Sequence, residues 1–204
     1  MLFNSFNFIA FFFVVLLLLV IEQCTTRRVA VRNALLLVAN YVFYGWFNVG
    51  FLLILLYVTL VNYFTGSALL KDGAKHRKRT LGMGVVLSLL PLLFYKYAAF
   101  IMTNLQLLLG GESHADWLQG LGMPIGISFF TFQALSYSID VYRGKITERY
   151  SLPDFMLFVS FFPMVLSGPI EKARNLLPQL RAYKPLSTSA FTEGAVTFIW
   201  GLFK

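Results

Sequence analysis

Charge is scarce in this chain. Asp, Glu, Lys and Arg make up only 13% of its 204 residues, about half the share of an ordinary soluble domain. With 58% hydrophobic residues and 22 phenylalanines, that scarcity excludes a soluble globular protein. Acids are scarcer still, nine against 17 Lys and Arg. The resulting net charge of +8 does not mark a nucleic-acid surface, because the basic residues sit in short clusters between apolar runs rather than on one stripe. Cysteine occurs once, as Cys24, which excludes an internal disulfide framework. It adjoins Thr25 to Arg28, where a juxtamembrane acyl site or an inert thiol are both open.

Histidine is nearly absent too. His76 lies in a basic loop and belongs to a solvated cationic surface. His114 alternates with Glu112 and Asp116, yet three polar neighbours in one short loop do not make a metal site, and none is expected. Ser113 beside His114 is no nucleophile pair, because activation depends on spatial geometry. A basic leader and a small-residue cleavage site are also lacking, since Glu22 and Gln23 follow the first apolar run. That run is therefore expected to stay in the membrane.

The chain does have long apolar runs. Phe6 to Ile21, Ala34 to Phe47 and Phe51 to Leu70 read as three spans, with a tight hairpin at Asn48 to Gly50. Lys71 to Arg79 carries five basic residues and one acid, which marks it as cytoplasmic. Counting back, Glu22 to Asn33 is cytoplasmic as well and the N-terminus lies outside. Leu81 to Leu109 is a fourth segment, long enough at ~1.5 Å per residue that it must tilt, kink near Pro91 or project beyond the hydrocarbon. Gly110 to Gly120 holds acids and no base, which suits the outer face. Leu121 to Val141 returns inward.

The sixth run, Phe155 to Ser167, is short for a crossing and contains Pro163. Simple alternation puts the next loop outside, but that loop carries Lys172, Arg174, Arg181 and Lys184 against Glu171. Positive-inside bias therefore predicts a re-entrant segment that returns to the cytoplasmic face. Ser187 to Lys204 starts a further apolar helix with Ser189 as its cap, and the whole reads as the N-terminal part of one longer domain. The fold class is all-α and polytopic.

Polar residues inside apolar runs are costly and usually face protein or water. Gln133, Ser136, Tyr137, Asp140 and Gly144 fall on one helical stripe and make a candidate tunnel wall, with Arg143 beside it. Helix-packing glue explains Gln133 and Ser136 equally well, and a local ion pair from Asp140 to Arg143 is the plainer account of those two. Lys96 is either an intramembrane cation for an anionic substrate or a lysine snorkelling to one interface between Tyr95 and Tyr97. The glycines of Gly120 to Gly126 lack the dinucleotide-loop pattern. No catalytic constellation is complete.

Three stretches resemble the membrane-bound O-acyltransferase family, in its bacterial alginate O-acetylation branch. They are MLFNSFNF at Met1, NYVFYGW at Asn40 and PIGISFFTFQALSYSIDVYRG at Pro124, extended by FFPMVLSGPI at Phe161. The resemblance implies a ring of helices around a tunnel in the bacterial inner membrane. It also implies an acetyl group passed from a cytoplasmic thioester donor, acetyl-CoA or an acyl carrier, towards an exported polysaccharide, with a periplasmic or extracellular acyltransferase as partner. No bound cofactor is implied. The family's catalytic histidine belongs to a later segment, and neither His76 nor His114 lies in its motif. A transporter or flippase half, or a non-catalytic assembly subunit, are the competing functions; transporters often show an internal repeat, and none is found among these six segments.

Overall fold

The computed structural model describes residues 5–71, 76–109, 122–166, 168–183, 185 and 187–203. Among these all the regular secondary structure is helical, with no strand. In chain order the helices are α1 (Phe6–Thr25), α2 (Val29–Gly45), α3 (Val49–Lys71), α4 (Arg77–Leu109), α5 (Ile127–Tyr142), α6 (Leu152–Ser160), α7 (Phe162–Val165), α8 (Ala173–Arg181) and α9 (Thr188–Phe203). Among the described residues, α1, α3 and the Arg77–Ala98 part of α4 are long and apolar enough to cross a membrane, and α2 is a shorter apolar helix. Phe6, Phe13, Leu53, Val86 and Phe100 stand out exposed along them. This is a membrane protein, and those side chains need lipid or protein against them.

Several boundaries differ from expectation for local reasons. α2 begins five residues before Ala34, since Glu22 Oε1 accepts the Arg28 N–H at 2.8 Å and the Thr26 hydroxyl at 3.2 Å, closing the turn directly beneath it. The Asn48 to Gly50 hairpin is a single Asx turn in which Asn48 Oδ1 accepts the Gly50 N–H at 2.8 Å, so Val49 already starts α3. α4 starts at Arg77, inside the expected basic loop, and runs through Pro91 without ending. α5 starts at Ile127, behind Gly126, rather than at Leu121. Ser187, not Ser189, caps α9, accepting the Ala190 N–H at 3.2 Å.

The centre of the fold is α5, packed against α3 and α4. Gly66 of α3 makes the approach possible, because a Cβ there would lie 2.3 Å from Tyr137 Cε1. Lipid offers no hydrophobic drive between helices, so small residues and buried hydrogen bonds do that work. Asn62 of α3 donates to Ser88 Oγ of α4 at 2.8 Å and accepts from Ser138 Oγ of α5 at 2.9 Å. All three side chains are fully buried. One asparagine thus ties three helices.

Helices α6 and α7 pack beside α2. Phe162 of α7 sits among Phe8, Phe11 and Phe12 of α1 and Phe43 of α2, with ring centroids 5.6 to 6.5 Å apart. At the far end of α7, Val165 meets Gly126, the residue that opens α5.

Candidate functional site

Around α5 the polar residues fall into two groups with different work. The first mends a broken helix. α6 and α7 are separated by Phe161, at φ −53° and ψ 107°, because Pro163 has no N–H to give and crowds the turn before it. In a continuous helix the Phe162 N–H would bond to the Phe158 carbonyl. Here the Phe162 N–H donates to Asn40 Oδ1 of α2 at 3.1 Å, and Gln133 Nε2 of α5 donates to the freed Phe158 oxygen at 2.7 Å. Asn40 is fully buried and Gln133 nearly so. Orphan backbone groups in a membrane cost several kcal/mol apiece unless satisfied, so these two amides hold the break open. The Gln133 amide is spent on that carbonyl.

The rest of the stripe follows from the end of α5. Tyr137 is buried between Gly66 and Phe155, the two rings 4.6 Å apart. Ser136 is half-buried and donates back to the Gln133 carbonyl at 2.7 Å. Gly144 does not continue the stripe. It adopts φ 71°, its N–H donates to Val141 O at 3.1 Å and the Lys145 N–H to Asp140 O at 2.9 Å, which is the Schellman pattern that stops a helix.

Asp140 stands out. It lies in the last turn of α5, where the helix dipole disfavours an anion, and it is 8% exposed. The expected pair with Arg143 is not made: Arg143 is exposed, and the ion pairs among the described residues belong to Arg181. The cation at this helix end comes instead from α4, where Arg77 Nη2 donates to Val141 O at 3.1 Å and Tyr142 O at 3.0 Å. Lys96 is far along α4, exposed, its Nζ 5.5 Å from the Tyr97 ring centre. It is not brought to the α5 stripe by any contact. The Glu112, His114 and Asp116 loop lies outside the described residues.

Three arginines gather the charged loops at one end of the bundle. Besides Arg77, Arg32 at the start of α2 donates to Leu180 O and to Ala182 O, and Asn33 Nδ2 donates to Leu180 O at 3.0 Å. Arg181, ending α8, reaches Arg149 O at 3.1 Å and Asp154 Oδ2 at 3.3 Å, and stacks over Tyr150 at 4.3 Å. Burial, then the nearby Glu148, push the Tyr150 phenol above its ordinary value against the opposing pull of Arg181. The C-terminus of α8 therefore lies at the same end of α2 as the 22–33 turn. Sequence reasoning misses Asn40, Asn62 and the three arginines. An asparagine interrupting an apolar run is the signal that could have found the first two; the arginines carry none, since their partners across the fold, carbonyls for Arg32 and Arg77 and Asp154 with a carbonyl for Arg181, are remote in sequence.

No protein-family model matches the chain, and no solved structure matches it. Curated proteins do. A probable alginate O-acetylase of Pseudomonas aeruginosa is 39% identical over 176 residues, covering 85% of this chain and 34% of its own length. That of Azotobacter vinelandii is 36% identical over 176 residues, covering 85% and 35%. A peptidoglycan O-acetyltransferase of Helicobacter pylori is 31% identical over 196 residues, covering 83% and 37%. The chain thus spans about a third of the length of the curated relatives it matches. On this likeness and an all-helical membrane architecture, the chain belongs to the membrane-bound O-acyltransferase family.

Proposed function

We propose that this chain is part of a membrane enzyme that moves an acyl group, most simply acetyl, from a cytoplasmic thioester donor to a polysaccharide being exported. The likeness to alginate O-acetylases over 85% of the chain carries the reading. The donor is acetyl-CoA or an acyl carrier, and a periplasmic or extracellular acyltransferase completes the delivery. The chain lies in the bacterial inner membrane with its N-terminus outside.

In this reading 1–204 is one portion of a single domain, α5 is a span in the tunnel wall, and α6 with α7 forms a re-entrant segment. The return of α8 to Arg32 and Asn33 supports re-entry, because both flanks of α6–α7 then share one face. Gln133 and Tyr137 shape this wall from behind, Ser136 and Arg143 flank it, and Asp140 sits at its cytoplasmic mouth. Lys96 would offer a cation to an anionic group from α4. The general base that activates the acceptor hydroxyl comes from the portion of the relatives' length that this chain does not span. The test is acetyl transfer by membranes carrying the full-length protein, with a radiolabelled thioester and polysaccharide acceptor. Label appearing in the polysaccharide only with the protein present supports the reading; transport of the polysaccharide without acylation overturns it in favour of a flippase.

A further inference from the structure

A cleft of about 370 Å³ lies between α1, α2, α7 and α8, within the usual range of small-molecule sites. Its walls are apolar, with Leu16 and Leu19 on α1, Leu36 on α2 and Pro163 on α7, while Arg32 and Gln179 line it at the charged end. Along α1 it extends from Phe12 to Leu19, seven residues or roughly 10 Å of helix. That is a hydrocarbon slot ending at a guanidinium.

Arg32 is set up to receive an anion there. Nε donates to Asn33 Oδ1 at 3.3 Å and Nη1 to Ala182 O at 2.9 Å. Nη2 donates to Asn33 Oδ1 at 3.0 Å and to Leu180 O. Every acceptor is neutral. A guanidinium has five N–H groups, so one hydrogen on Nη1 stays uncommitted. Glu22, the acid whose charge reaches Arg32, already accepts from Thr26 and Arg28. The ring of Tyr183 lies 5.8 Å below the guanidinium. Among the described residues Arg32 makes no ion pair, so dipoles position its positive charge while Glu22 acts on it only at longer range.

We propose that this cleft binds one anionic phospholipid, an acyl chain lying along Leu16 and Leu36 and the phosphate meeting Arg32 and Gln179. Charge complementarity selects this occupant. An apolar helix from another protein copy would fill the slot but leave the cation unmatched, whereas an anionic lipid meets both ends. The assignment stands apart from the acyl-transfer reading and needs only that the charged end faces a lipid headgroup layer.

The experiment is native mass spectrometry of the full-length protein released from detergent with phosphatidylglycerol or phosphatidylethanolamine of matched chains. Wild type should retain phosphatidylglycerol about tenfold better, because both headgroups offer a phosphate but ethanolamine adds an ammonium whose like charge Arg32 repels. Arg32→Gln should abolish that preference. Leu16→Trp, which narrows the slot and leaves Arg32 in place, should lower retention of both lipids. Excess inorganic phosphate should not displace the lipid. Equal retention of the two lipids by wild type overturns the proposal, as does an unchanged preference in Arg32→Gln that melts like wild type. A Leu16→Trp variant that loses a protein dimer while keeping its lipid would assign the slot to a second copy instead. Should Arg32→Gln fail to fold, the wild-type preference and the Leu16→Trp result decide the matter.

Discussion

Replacing Gly126 with alanine tests how the broken segment is seated. Gly126 precedes α5 at φ 77°, and a Cβ there would lie 2.2 Å from the Val165 carbonyl oxygen and 3.2 Å from Leu166 Cα. Both neighbours are main chain, so no side chain can swing away. The left-handed backbone costs an L-residue roughly 1–2 kcal/mol, and forcing a methyl into a packed contact adds about 1–3 kcal/mol. Gly144→Ala separates these effects, because Gly144 has φ 71° and nothing within 4 Å of where its methyl would sit. It should suffer the backbone cost alone. The difference between the variants, about 1–3 kcal/mol, is a shift of roughly 5- to 150-fold in the unfolding equilibrium. Tryptophan fluorescence of the full-length protein in mixed micelles, titrated with denaturing detergent, would measure it. If Gly126→Ala unfolds no more readily than Gly144→Ala, α7 does not press on the start of α5 and the reasoning fails.

A double-mutant cycle on Asn62→Ala and Ser138→Ala should return a coupling of about 0.5–2 kcal/mol in the same titration, the usual range for membrane hydrogen bonds; additive effects would show that the pair contributes nothing jointly. Gln133→Leu should destabilise by about 1–3 kcal/mol, since the Phe158 carbonyl is left buried and unsatisfied, and Gln133→Met, which fills a similar volume without a donor, should not rescue it. Asp140→Ala should cut acyl transfer by between about tenfold and a hundredfold with normal protein levels in the membrane; unaltered transfer would make the carboxylate dispensable. Cysteine placed at Lys172 should be labelled only from the cytoplasmic side, and labelling from outside alone removes the re-entrant proposal.

The two buried amides explain why part of this site could not be read from the chain. Gln133 lies on the predicted stripe, but its acceptor exists only because Pro163, thirty positions on, breaks another helix. Asn40 accepts the Phe162 N–H across 122 positions. Asp140 and Arg143 illustrate the converse, where adjacency on a helix suggests a pair and Arg77 of α4 takes the helix end instead.

Composition and spacing alone determined that the chain is helical, embedded in lipid and interrupted near Pro163, because hydrocarbon permits few backbone solutions and proline permits fewer. The positive loops likewise follow from local charge. Which polar groups satisfy which broken backbone bonds, and where Arg32, Arg77 and Arg181 find their carbonyls, was decided only by the tertiary structure. Those contacts depend on how separate helices meet, and side-chain periodicity records the face of one helix without recording its neighbour.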